Sequence, residues 1–220
     1  MSGGASGVVV RTLSEQAFEV VRERIVSGAI AENAPIRQDA LAAELGVSKI
    51  PLREALARLE QEGLLTSRPN RGYVVRPMSA EQAEEIYALR LAIEPAAAAR
   101  GAEAATEADR QAAQEAFARL DAAAADDLAS VAVFNRHFHT ALVRPAGRLL
   151  TTQLVERLSI LSERYVVAHL KPAGRGARAH DEHRDLLDAW SAGDVVAVER
   201  LLARHIQGTL RDLRIEFGAG

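Results

Sequence analysis

The chain has 220 residues, 48% hydrophobic but only 4% aromatic, with a net charge of −3 and no cysteine. That length accommodates two small domains or one larger one, and an alanine-rich, aromatic-poor composition favours close-packed helices over a sheet sandwich. The lack of cysteine excludes disulfides and thiolate metal sites, and no apolar stretch approaches the roughly 20 residues that a membrane-spanning helix needs.

Residues 1–10, MSGGASGVVV, have no basic n-region and too short an apolar run for a signal peptide. Their Gly/Ser content predicts disorder. The protein is therefore expected to be soluble and cytoplasmic, with no membrane partner. Ser14 is placed as the cap of a first helix ending at Gly28, in which Ala17, Val20, Val21 and Ile25 recur at helical spacing. An extended APIR segment follows, then a short helix, QDALAAELG, that stops at Gly46. Gly46 suits the positive φ of a tight turn, and Val47 is expected to plug that turn into the core. Ser48 caps a third helix, ended by Gly63. Pro51 falls in its first turn, where a missing N–H costs little. Leu64 to Ser67, a turn at Pro69-Asn70-Arg71-Gly72, and Tyr73 to Val75 read as a β-hairpin.

Strand signals vanish after Pro77. Ser79 caps a long helix to about Ala102, with Pro95 inside it and a kink expected there. Further helices are predicted over about 107–124, 127–144, 148–170, 176–192 and 194–216, separated by Thr106, Asp126, Pro145-Gly147, Pro172-Gly176 and Gly193. The fold class is thus mainly α. A three-helix module with a β-hairpin, a winged helix-turn-helix at 11–77, precedes an all-α helical bundle at 78–220.

Charge divides along the same boundary. Residues 1–77 hold 10 Lys+Arg against 9 Asp+Glu, and residues 78–220 hold 17 against 21. Within 48–76 the count is 6 against 3, a local basic patch of the kind a small DNA-reading module shows. On the third helix Leu52, Ala55, Leu56 and Leu59 form one apolar stripe, while Lys49 and Arg53 lie four apart on its flank. A helix start bearing Ser48, Lys49 and Arg53 suits the major groove: hydroxyl and amides meet phosphate, and the cations bond guanine O6 and N7. At the hairpin tip Gly72 permits close backbone approach and Arg71 can enter the minor groove.

SKIPLREALARLEQEGLL followed by RPNRGYVV resembles the GntR family of transcription regulators over residues 14–77. The resemblance implies recognition-helix contacts at Ser48, Lys49 and Arg53, and a wing at Arg71 and Gly72. Lys49 stands where the family often has arginine and lacks the planar fork for bidentate guanine readout.

Three helices of the C-terminal region send imidazole toward their apolar faces. His205 falls within the arc of Val198, Leu202, Ile206 and Leu213. His183 lies between the directions of Leu186, Leu187 and Trp190. Asn135 and His139 sit four apart at the edge of the Phe134, Phe138 and Leu142 face. His137 points away from that face, and His180 reads as a surface residue or an outer partner of the site. A lone inward histidine is usually a hydrogen-bonded core residue; three together point to a shared cation. EIYALRLAIEPAAAA, VFNRHFHTAL, DEHRDLLDAWSAGD and ERLLARHI are similar to the FCD effector domain of the FadR-like GntR subfamily. That likeness implies a divalent metal held by Asn135, His139, His183 and His205. Zinc suits three imidazoles best, with nickel or manganese the alternatives. It also implies a homodimer on double-stranded operator DNA, and a small organic acid effector near the metal, contacted by Arg90. A salt bridge from Arg90 to Glu94 is the alternative for that arginine.

The expected function is a sequence-specific regulator, in the repressor sense, whose operator affinity follows effector binding through a change in the relative orientation of its reading modules. Competing readings are a metal sensor, a bundle whose histidines are purely structural, and a metal hydrolase on a DNA tether. The last lacks HExxH, and Glu182, next to His183, should point away from the metal, so no enzyme activity is expected.

Overall fold

The computed structural model describes residues 11–69, 71–124 and 128–218. The expected disorder of 1–10, and Asn70 at the wing tip, fall outside them. Two compact units meet between Arg76 and Pro77.

In the first unit α1 (Leu13–Val26), α2 (Gln38–Leu45) and α3 (Lys49–Gln61) precede a hairpin of β1 (Leu65–Arg68) and β2 (Gly72–Val75). α1 starts before Ser14: Thr12 is the N-cap, and its hydroxyl and the Glu15 side chain close a capping box. That box satisfies two otherwise orphaned amides, whereas Ser14 lies inside the helix. α2 ends on Gly46 in the left-handed region, φ 65°, with its N–H bonded to Ala42 and Ala43 carbonyls. Ser48 has extended N-cap geometry but makes no side-chain capping bond. The hairpin pairs Leu65 with Val75 and Arg68 with Gly72. The extended segment after α1 joins it through a bridge between Pro35 and Val74. Phe18, Val21, Ile25, Leu52, Leu56, Leu59, Leu65 and Val75 fill the core, and Val47 packs against it.

The second unit comprises α4 (Ala80–Ala104), α5 (Glu107–Ala123), α6 (Leu128–Val143), a 3-10 turn at Arg144–Ala146, α7 (Leu149–Leu170), α8 (Arg175–Ser191) and α9 (Val195–Glu216). Ser79 caps α4 as expected, and the helix runs through Pro95 without interruption. The backbones of α4 and α6 come close together: a Cβ on Gly101 would stand 1.9 Å from the Leu142 carbonyl oxygen. Trp190, fully buried, ties the same place together by donating to the carbonyls of Leu142 at 3.0 Å and Ala98 at 3.2 Å. Among the described residues no helix is long and apolar enough to cross a membrane.

Candidate functional site

Two groups of residues carry chemistry, one in each unit. In the first, the apolar stripe of α3 is buried as Leu52, Ala55, Leu56 and Leu59, which turns the opposite face outward. Ser48, Lys49 and Arg53 are all exposed on that face. The Ser48 hydroxyl, unused as a cap, is available to an incoming acceptor. Lys49 Nζ lies 2.8 Å from Asp39 Oδ1, a partner that the charge count did not reveal. Both side chains are largely solvent-exposed, and such pairs are worth about 0–1 kcal/mol, so Lys49 is readily released to a stronger anion. Arg71 is exposed at the wing, where its N–H donates to the Arg68 carbonyl at 3.1 Å. Gly72 follows with φ 67°, a conformation that favours glycine.

In the second unit a cavity of about 110 Å³ opens among α4 to α9. Its apolar wall includes Phe117, Leu120, Val131, Val166 and Leu170; its polar groups include Arg90, Asn135, His169, His183, His205 and Thr209. One ring nitrogen each of His139, His183 and His205 lies within 4.8 Å of the other two. All three rings are buried. The His183 and His205 Nε2 atoms are 3.2 Å apart. Two ligands on one tetrahedral zinc, each at about 2.0–2.1 Å, stand about 3.3 Å apart.

Carboxylates stand behind two of the rings. His205 donates through Nδ1 to Glu182 Oε2 at 2.7 Å, which turns its Nε2 toward His183. His139 Nδ1 is 3.2 Å from Glu94 Oε2, off the line a hydrogen bond needs, and its Nε2 is buried with no hydrogen-bond partner. Burial holds His139 down to about 4 against the pull of Glu94. Burial, reinforced by His205, holds His183 well below the usual histidine range. Buried imidazoles with ring nitrogens turned toward one another, two of them with a carboxylate behind, are the donor set a borderline divalent cation takes. The residues present therefore fit such an ion, with the buried, unpartnered His139 Nε2 as the plainest sign. Asn135, one turn before His139, is buried and lines the same cavity as His183 and His205.

Arg90 makes the alternative contact and lines the cavity as well. Its Nε donates to Glu94 Oε1 at 2.5 Å, its Nη2 to Oε2 at 3.1 Å, and its Nη1 to Ser162 at 3.2 Å. Burial opposes both charges, but the pair outweighs it: the Arg90 pKa is raised, and Glu94 is brought down to about 2 by Arg90 and His139.

Sequence reasoning missed three participants. His169, near the end of α7, is buried, lines the cavity and sits 3.2 Å from Asp212; burial holds it down to about 4. Glu94 was legible only as an alternative partner of Arg90, not as the carboxylate behind His139. Glu182 does point away from the space between the rings, but into a role, behind His205. His180 is half-buried rather than a surface residue. It meets Asp121 at 2.8 Å and the Phe117 ring at 5.4 Å. His137 is exposed.

Residues 13–75 match the family described as bacterial regulatory proteins, gntR family, and residues 85–208 match the FCD domain. The HTH-type transcriptional regulator BphR of Paraburkholderia xenovorans is 30% identical, over 95% of this chain and 88% of its own. The HTH-type transcriptional repressor RspR of Escherichia coli is 29% identical, over 92% and 89%. Among solved structures, E. coli McbR/YncC superposes with a TM-score of 0.78 at 24% identity, covering 94% of this chain and all of that one, a likeness of fold.

Proposed function

Starting from the fact that the chain belongs to the GntR family of transcription regulators and carries an FCD domain, we propose that it is a repressor whose grip on operator DNA is set by a small carboxylate bound in the cavity of the helical domain. The observation that carries this reading is the cavity itself, where Arg90, Asn135 and the imidazoles of His183 and His205 line one space. Family and relatives are transcription regulators, not enzymes.

In this reading Ser48, Lys49 and Arg53 meet the major groove and Arg71 and Gly72 approach the backbone or minor groove. His139, His183 and His205, with Asn135 as the fourth donor, hold a divalent cation, zinc before nickel or manganese. When bound, the cation supplies a Lewis-acidic point for a ligand oxygen. Glu182 orients His205, and Glu94 stands behind His139. Arg90 has three N–H groups committed to Glu94 and Ser162, and its remaining donors serve the effector's carboxylate. Space beyond the histidines favours an organic effector over the bare ion as the signal. Operator affinity responds because the effector binds two states of the protein unequally.

The protein is proposed to act as a homodimer, so that two modules match a two-fold operator. The exposed leucines at the start of α7, Leu149 and Leu150 at 72% and 70%, support pairing of helical domains.

The test is an anisotropy titration of the protein on the DNA upstream of its own gene and its neighbours, across salt concentrations. Binding to a discrete duplex, weakened or strengthened by short carboxylates only while metal is present, is expected. Absence of sequence-specific binding at every salt concentration rejects the DNA reading. Effector response that persists in the chelated protein rejects the metal's part in it.

A further inference from the structure

Ile50 is the large apolar side chain that the core of the first unit leaves outside at the start of α3. It is 72% exposed, although the same helix buries Leu52, Ala55, Leu56 and Leu59. At about 100° per residue, Ile50 lies roughly 200° round the helix from Leu52, but only about 60° from Arg53 and 100° from Lys49. It therefore shares the outward face with the two cations. Its position in the first turn is where a recognition helix meets base edges.

The major groove offers one apolar feature to such a side chain, the C5-methyl group of thymine. The lysine and arginine beside it find acceptors on guanine but gain nothing from that methyl. From this placement we infer that Ile50 is a specificity-determining residue that reads a thymine by packing on its C5-methyl group. The inference rests on α3 being the helix that enters the groove. It adds a hydrophobic element to a reading face otherwise built from charge and hydroxyl. Lys49 and Arg53 then set affinity and guanine preference, while Ile50 sets where thymine is required.

In the test the protein chooses its own operator. Full-length protein selects duplexes from a random pool, and each thymine of the selected site is replaced in turn by deoxyuridine. Base pairing is unchanged and only the methyl group is lost. At one thymine per half-site the wild type is expected to bind about fourfold more weakly without the methyl, the worth of one such group withdrawn from water. Ile50→Ala is expected to bind the thymine operator several-fold more weakly, and to be indifferent to deoxyuridine at that position while matching the wild type elsewhere. Its salt dependence and thermal melting should equal the wild type's, because the phosphate contacts and the core are untouched. A wild type indifferent to every thymine methyl overturns the inference, as does an Ile50→Ala protein that keeps the same methyl penalty. A selection that enriches no duplex overturns the DNA reading, and this inference with it.

Discussion

Replacing Glu94 by glutamine is the sharpest perturbation of the helical domain. The carboxylate has no exposed surface and takes two bonds from Arg90, at 2.5 and 3.1 Å, with His139 Nδ1 3.2 Å away. Glutamine keeps the volume but removes the countercharge of a buried guanidinium, and its amide sets N–H against N–H. Removing one partner of a buried ion pair costs about 3–5 kcal/mol, a large share of the roughly 5–15 kcal/mol that keeps a domain folded. The Glu94 pKa points the same way: Arg90 holds the carboxyl below its usual range, so the pair stabilises the folded state. Because the folded value is depressed, that stability is present above the unfolded value near 4.5 and lost as pH falls toward 2. Trp190 is the chain's single tryptophan and is buried in this domain, so its fluorescence in urea reports this unit's unfolding. With a slope of about 2 kcal/mol per molar urea, the midpoint of Glu94→Gln should fall by about 1.5–2.5 M. The double variant Arg90→Met/Glu94→Gln removes both charges and should recover most of the loss. A Glu94→Gln midpoint within 0.5 M (about 1 kcal/mol) of wild type would refute the reasoning, as would a double variant no better than the sum of the singles.

Three further outcomes are expected. Glu182→Gln, which weakens the hold on the His205 ring, should lower zinc affinity about 10- to 100-fold in a competition titration with a chromophoric chelator, while the apo-protein's urea midpoint stays nearly constant. Gly101→Ala puts a methyl 1.9 Å from the Leu142 carbonyl oxygen, so α4 and α6 must part or the Trp190 bonds must break. A loss of roughly 3 kcal/mol or more is expected from such overpacking, and a melting temperature unchanged from wild type contradicts the contact. His169, held neutral by burial down to about 4, contributes stability that is complete above its unfolded value near 6.5 and declines as pH drops toward 4. Its imidazole resonances should titrate near 4 in NMR, and a midpoint near 6.5 would show the ring to be solvated.

Helix limits in the second unit were legible because proline and glycine punctuate that half of the sequence. Glu107–Ala123 and Leu149–Leu170 lie within a residue or two of what Thr106, Gly147 and Pro172 suggest. α1 misled at its start because Thr12 and Ser14 are both good caps. The decision rests on which one has an acid three residues on, and Glu15 answers Thr12. Direction around a helix was legible too, and it brought His139, His183 and His205 inward. What lies behind each ring was not, since His139 to Glu94 and His205 to Glu182 are contacts between different helices and leave no spacing in the sequence. His169 escaped for a related reason. It lies in the last turn of α7, where Val166, Val167 and Ala168 are all buried, so no single apolar face marks which way the ring points.

The charge inventory of the cavity argues for the kind of ligand proposed. Arg90 and Glu94 cancel as a bonded pair. Asp212 is taken up by Arg175 and Arg178 beside His169. His139, His169 and His183 are held in their neutral forms by burial. Glu182 behind His205, and Asp121 on the cavity wall beside His180, offset a divalent cation there only in part, leaving a smaller positive excess in a largely apolar pocket. At low dielectric such an excess is costly until an anion joins it, and a small carboxylate with a compact apolar body meets both the charge and the wall of Phe117, Val131, Val166 and Leu170. The same inventory disfavours dianions: Arg90, already shared with Glu94, is the one cationic side chain among the described residues lining the cavity apart from its histidines, so a second carboxylate would enter without a counterion.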